Sequence, residues 1–299
     1  MTEPSADATN STRSAETTSD RAVDAANTDR NGPSERWTKR VWSAGSYAEI
    51  APNYVPMAGA LVEGAAVAAG DAVLDVGCGT GSVAITAARR DARVTGVDIT
   101  PELLATARQN AATAGRDDIS WREGDATTLS FEAGAFDATL SNLGHMYGDP
   151  PDVAGRELLR VTRPGGRIAF TSWTPTSLYP AMAGVVTTFL SPEDLPAFSE
   201  PPFLWGDSGT VEKRLGTVVE GLEFETETVG YPALSPEHFL QDTATNSGLF
   251  IEVLEAVADR DRPALRERLI EKIEPRFDAR RNTVELEYLR TTATVAESG

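Results

Sequence analysis

The sequence predicts an α/β protein: a doubly wound, mostly parallel sheet with helices on both faces and helical additions near the C-terminus. Two observations lead there. Short apolar runs at Ala72–Val76, Arg93–Ile99, Ile119–Glu123, Phe136–Ser141 and Arg167–Ser172 are separated by helical segments. Strands and helices at that spacing make βαβ units, and right-handed crossovers put helices on both sides of a parallel sheet. The first run also ends in Gly77-Cys78-Gly79-Thr80-Gly81, a glycine turn leading straight into a helix. In open α/β sheets ligands bind at such a turn, outside the carboxyl ends of the strands.

Each element has its own signal. Met1–Gly32 is rich in Thr, Ser, Ala, Asp and Asn; it has no apolar core of a secretory signal and too many acids for a transit peptide. Residues 1–35 are therefore expected to be a disordered tail, with one domain over 36–299. Trp37–Ala69 reads as mostly helical, with an Ala-rich helix over Met57–Ala69 that Gly70-Asp71 ends. A helix follows the glycine turn from Ser82 to about Arg90. Thr100-Pro101 opens the next, threonine as N-cap and proline at the first helical position. Asp152–Thr162 forms another, stopped by Arg163-Pro164-Gly165-Gly166. Trp173–Trp205 holds six prolines and reads as loops and short helices. Val211–Val219 is expected to be helical and Phe224–Val229 an alternating strand. Ser235-Pro236 caps a helix running to about Val257. Pro263–Ile273 places Leu265, Leu269, Ile270 and Ile273 on one face of a helix, and Val284–Val295 alternates as the last strand.

Charge narrows the partners. The net charge is −18, and only three lysines stand beside twenty-four arginines. Dispersed acidity opposes binding to nucleic acid or anionic membranes. No run of eighteen apolar residues exists to span a membrane, so a cytoplasmic protein is expected. Acidic surfaces poor in lysine resemble those of halophile proteins, although a GC-rich genome also favours arginine over lysine. Cys78, the single cysteine, excludes an intramolecular disulfide, and two histidines without clustered carboxylates do not make a metal site.

The stretch Val73–Gly81 carries the chemistry. A dinucleotide fingerprint has the form G-x-G-x-x-G, and position 82 is serine. Asp75, two residues before the first glycine, suits a cationic amino group and not a pyrophosphate. On these residues the chain resembles motif I of the class I, Rossmann-like, S-adenosylmethionine-dependent methyltransferases. The resemblance implies a seven-stranded sheet whose last strand is antiparallel, with 36–173 as the cofactor-binding half and 174–299 as the acceptor-side half. It also implies a cofactor site at Asp75, Gly77, Cys78, Gly79 and Gly81. Asp98, seventeen residues after Gly81, would accept the ribose hydroxyls. Ile99 would lie against the adenine, and Asp125 and Ala126 would take its amine and a ring nitrogen. Ser141 ends the strand beside the transferable methyl, and Tyr47 could face the cationic sulfonium.

The branch resembled is the small-molecule one that includes ubiquinone and menaquinone biosynthesis. Nucleic-acid amino-methyltransferases carry Asn/Asp-Pro-Pro-aromatic where this chain has Ser141-Asn142-Leu143-Gly144. A small-molecule acceptor is thus expected, under a helical roof over about 235–273. His145, four residues past Ser141, is expected in the acceptor pocket as general base wherever the acceptor must lose a proton. Trp42 and Tyr54 are read as core residues and His238, in the first turn of a helix, as a solvated or capping residue. Two other readings stay open: a nicotinamide-dependent oxidoreductase, and a protein that binds S-adenosylmethionine without methylating anything.

The charge bias has a measurable consequence. Salt screens self-repulsion, so the melting temperature is expected to rise steeply between dilute and molar KCl. A flat dependence in calorimetry would remove the salt-adapted reading.

Overall fold

A computed structural model describes residues 35–195 and 198–297; the expected tail at 1–35 lies almost wholly outside them. The described residues fall within one compact unit, 31–299. At the N-terminal side are α1 (Glu35–Ser43), α2 (Tyr47–Ile50), a 3-10 turn (Ala51–Tyr54) and α3 (Val55–Gly64). The alternating part follows: β1 (Ala72–Val76), α4 (Ser82–Ala88), β2 (Arg93–Asp98), α5 (Pro101–Thr113), β3 (Ser120–Glu123), β4 (Phe136–Asn142), α6 (Pro151–Val161) and β5 (Thr162–Trp173). The remainder holds α7 (Leu178–Thr187), α8 (Ser208–Leu215), β6 (Val219–Pro232), α9 (Pro236–Asn246), α10 (Gly248–Glu255), α11 (Arg262–Ile273), β7 (Phe277–Asp278) and β8 (Thr283–Val295).

The sheet order is β3-β2-β1-β4-β5-β8-β6, with the two-residue β7 paired to β8. β3, β2, β1, β4 and β5 are mutually parallel, and β8 runs antiparallel between β5 and β6. The strand order reverses direction between β1 and β4, so their carboxyl ends open a crevice between them. Val73, Ala138, Leu140 and Ala169 bury one sheet face beneath α3 and α4. Leu74, Val76 and Val97 bury the other with Leu158 and Val161 of α6. A larger core gathers the rings of Tyr54, Phe170, Trp173, Trp205, Tyr231 and Phe239 with the later helices.

Several expected boundaries move. The Ala-rich helix stops at Gly64, because Ala66 turns left-handed (φ 48°) and ends the ladder early. The alternating strand at Phe224–Val229 extends to Val219–Pro232, since β8 offers partners along its whole length. The single helix from Ser235 breaks at the extended Ser247 into α9 and α10. Tertiary contact explains the break: a Cβ on Gly248 would lie 1.7 Å from the Val41 carbonyl oxygen, so α10 begins with its backbone against the end of α1. An Arg40–Glu252 ion pair joins the same two helices. Among the described residues no helix is long and apolar enough to cross a membrane, and no cluster of three or more His, Cys, Asp or Glu could hold a metal.

Gly248→Ala must separate α1 from α10. Forced overpacking costs about 1–3 kcal/mol, so the urea midpoint should fall accordingly. An unchanged midpoint would show that the two helices do not pack as described.

Candidate functional site

At the crevice between β1 and β4 the two loop backbones touch. A Cβ on Gly77 would lie 2.6 Å from Gly144 Cα, and one on Gly144 would lie 2.7 Å from Gly77 Cα. Only glycine at both positions permits the approach. Gly144 itself has an ordinary helical φ of −73°; the left-handed residue of that turn is Leu143, at φ 64°. Backbone of that kind in a non-glycine residue is costly and collects at functional sites. Ser141 ties the loops together, its Oγ donating to the Val76 carbonyl (2.6 Å) and accepting from the His145 N–H (2.9 Å).

Over this junction lies a cavity of about 350 Å3. Of the residues expected to bind cofactor, Tyr47, Gly77, Gly79, Asp98, Ile99, Asp125 and Ala126 line it. Asp98 ends β2 with both carboxylate oxygens held by backbone: Oδ2 accepts from Gly79 N–H (2.8 Å) and Oδ1 from Thr100 N–H (2.9 Å). Burial raises its pKa, and those hydrogen bonds pull in the other direction. Each oxygen keeps a lone pair for a ligand hydroxyl. Asp125 takes the N–H and hydroxyl of Thr127 on Oδ1, both at 2.7 Å, which leaves Oδ2 for another donor. The Tyr47 ring packs over the glycine turn, 3.6 Å from where a Gly79 Cβ would stand. Three carboxylates (Asp98, Asp125 and Asp149) beside aromatic rings suit a cationic ligand.

Four expected cofactor residues do not line the cavity. Asp75 shares its sheet face with Val73 and points beneath α4, where Oδ2 accepts from the Ala84 N–H (3.0 Å). Burial pushes its pKa up to about 8, and it serves to join β1 to the first turn of α4. Cys78 is buried against Gly96, and burial pushes its thiol up. Gly81 (φ 90°) faces Trp121 and Ala107, so its role is to pack the turn on β3 and α5. Ser141 acts through the two hydrogen bonds already described.

His145 also departs from expectation. The 3-10 turn His145–Tyr147 sends Tyr147 into the cavity and His145 into the core. There the imidazole packs on Phe170 (4.4 Å between centroids) and Trp205 (4.9 Å), fully buried. Neither ring nitrogen has a hydrogen-bond partner. Burial, with the charge of Arg214, depresses its pKa to about 3. It cannot reach an acceptor in the cavity and is no general base there.

Of the two aromatics read from sequence as core residues, Tyr54 is buried in the larger core and also lines the cavity, and half-buried Trp42 lines it too, as do Tyr147, Trp173, Tyr179 and Phe250. The expected roof at 235–273 contributes Ser247, Leu249, Phe250 and Val253, all from α10 and its N-cap, and nothing from α11. Tyr47 and Tyr54 lie seven residues apart, a helical repeat legible in the sequence. Nothing local marks Trp173 or Tyr179. His238 does cap α9, accepting from the Leu234 N–H (3.0 Å).

Comparison with known proteins agrees with this geometry. Residues 73–166 match the model of a methyltransferase domain. Two uncharacterized proteins of Mycobacterium tuberculosis are similar: Rv1403c, 39% identical over 174 residues (58% of this chain, 62% of that one), and Rv1405c, 35% over 188 (62% and 67%). The chain thus spans less than two thirds of the length of the first and about two thirds of the second. Nocamycin O-methyltransferase of Saccharothrix syringae is 36% identical over 135 residues (42% and 48%), and demethylmenaquinone methyltransferase of Beutenbergia cavernae 35% over 127 (41% and 50%). The fold is shared with the YcgJ protein of Bacillus subtilis (TM-score 0.53, 17% identity, 81% of this chain and 98% of that one). Residues 73–166 are thus a methyltransferase domain, carried on an α/β fold shared with solved structures.

The buried imidazole makes a pH prediction. Between about pH 6.5 and about pH 3 the unfolded chain binds a proton at His145 that the folded chain does not. Stability from this group is therefore complete above 6.5 and falls as pH drops, by up to about 1.4 kcal/mol per unit. Urea denaturation at pH 7.5 and 5.0 should show His145→Leu losing about 2 kcal/mol less than wild type. Equal losses in the two proteins would contradict the burial of a neutral imidazole.

Proposed function

We propose that the protein transfers a methyl group from S-adenosylmethionine to an uncharged, apolar small molecule. The carrying observation is that one cavity joins two chemically distinct ends. One end holds the glycine turn, Asp98 and Asp125; the other is walled by Tyr54, Trp173, Tyr179 and Phe250. The residues at the first end fit the cofactor. Asp98 would accept the ribose diol on its remaining lone pairs, and Asp125 Oδ2 the adenine amine, with Ile99 and Leu103 along the ring. The Gly77–Gly79 backbone, stripped of Cβ atoms, leaves room for the methionine part, and the Tyr47 face would stabilise the positive sulfur.

When bound, the cofactor supplies a methyl group on a sulfonium, whose leaving group is a neutral thioether. The protein's task is then to align the acceptor and to exclude water. The buried aromatic walls do the second. With His145 turned into the core, acceptors that need no strong base fit this site best. The names nocamycin O-methyltransferase and demethylmenaquinone methyltransferase support a small-molecule acceptor, and the second supports placing the chain near the quinone-biosynthesis branch. An oxidoreductase reading has less support, because the glycine spacing departs from the dinucleotide fingerprint.

Calorimetry should show S-adenosylhomocysteine binding and no binding of NAD. Asp98→Ala should weaken that binding by about 2–4 kcal/mol, the loss of hydrogen bonds to a charged acceptor, with the circular dichroism spectrum preserved. Incubation with methyl-labelled cofactor and a panel of apolar metabolites should place label in an organic extract. An Asp98→Ala protein that binds S-adenosylhomocysteine as tightly as wild type would overturn the cofactor assignment.

A further inference from the structure

The apolar end of the cavity contains a polar feature that its packing does not require. Tyr54 comes from the 3-10 turn before α3 and Tyr179 from the first turn of α7, and their hydroxyl oxygens stand 2.7 Å apart. The rings are set among others. Tyr54 packs edge-on against Trp173 at 5.7 Å and Tyr231 at 6.2 Å. Tyr179 packs against Trp173 at 5.2 Å, Phe239 at 6.1 Å and Phe250 at 6.4 Å. Two phenylalanines would fill these positions at no polar cost, whereas buried hydroxyls are unfavourable unless something bonds them. The mutual hydrogen bond uses one of the two phenolic protons. The pair keeps the other proton to donate and lone pairs with which to accept.

We propose that the Tyr54–Tyr179 hydroxyl pair anchors the methyl acceptor through an oxygen function, a hydroxyl or a carbonyl, on an otherwise apolar, uncharged molecule. This rests on the methyltransferase reading of the cavity and adds the acceptor's chemical class. A phenol or alcohol satisfies both sides of the pair: one tyrosine donates a hydrogen bond to its oxygen and the other accepts a hydrogen bond from its hydroxyl. A carbonyl uses the donor alone. The surrounding Trp173, Phe250, Val186 and Leu190 hold the carbon skeleton. Asp98, Asp125 and Asp149 line the same cavity, and their negative field disfavours a carboxylate or phosphate on the acceptor. Burial raises the phenol of Tyr179 to about 12, and burial together with the neighbouring Tyr179 phenol raises that of Tyr54. Both therefore stay protonated at neutral pH and act by holding the acceptor, not by removing its proton.

Three probes of one ring skeleton test this: 2-naphthol, naphthalene and 2-naphthoate. Each is titrated calorimetrically into the full chain, with and without saturating S-adenosylhomocysteine. Wild type should bind 2-naphthol about five- to tenfold more tightly than naphthalene, the worth of one hydrogen bond, and 2-naphthoate more weakly than either. Tyr54→Phe and Tyr179→Phe should each abolish the preference for 2-naphthol, leave naphthalene within about twofold and leave S-adenosylhomocysteine affinity intact. Failure of wild type to bind 2-naphthol overturns the proposal. So does survival of the preference in both variants, or an equal loss for naphthol and naphthalene, which would mean packing alone. Failure of S-adenosylhomocysteine to bind wild type would instead overturn the cofactor reading, and the titrations without it would still report on the tyrosine pair.

Discussion

The contact between Gly77 and Gly144 governs how this molecule can use its sheet. β1 and β4 are adjacent and parallel, and their following loops leave the same edge. Any side chain at either glycine would drive the loops apart, since the nearest neighbour of each missing Cβ is the other glycine's backbone. With the loops in contact, the glycine turn after β1 and the strained Leu143 after β4 form one continuous floor. The Ser141 hydroxyl, bonded to both loops, holds that floor at a fixed height. Asp98 then reaches it from β2 because its carboxylate is bound to the Gly79 N–H.

From that floor the cavity divides by chemistry. The end at the glycine turn is acidic, and its carboxylates are oriented by backbone N–H groups, which lose little entropy on ligand binding. Its other end is enclosed by rings from α1, α2, β5, α7 and α10, elements far apart in sequence. The closeness of α10 to α1 at Gly248 brings Phe250 and Trp42 to one wall. The polar groups nearest the junction that do not line the cavity (Asp75, Cys78, Ser141 and His145) are all buried in supporting positions. Their hydrogen bonds and packing hold the loops, and three of them have pKa values displaced by burial toward the uncharged form.

That division explains which residues of the site were legible beforehand. Asp98, Ile99, Asp125 and Ala126 follow strand ends, and a strand end in a parallel sheet fixes both position and direction. Asp75 and His145 lie equally close in sequence but were misplaced, because a residue or two of register decides which face a side chain takes. Asp75 sits on the face that α4 covers, and the 3-10 turn after β4 rotates Tyr147 outward in place of His145. Trp42 and Tyr54 look like core residues in sequence because an apolar cavity wall and an apolar core draw on the same side chains.

By itself the sequence determined the α/β class, the parallel sense of the first five strands and the location of the glycine turn, because these follow from local periodicity and from steric limits on single residues. The glycine spacing also set that turn apart from a dinucleotide fingerprint, whereas Asp75, the acid on which a cationic ligand was expected, faces α4. Only the tertiary structure decided the break between α9 and α10, the turning of His145 into the core and the meeting of Tyr54 with Tyr179. Each depends on a contact between segments separated by about a hundred residues or more, except His145, where Trp205 and Phe170 are nearer in sequence but arrive from another strand and turn. Such contacts form only when the sheet has brought distant backbone together, and no local pattern encodes which pairs will meet.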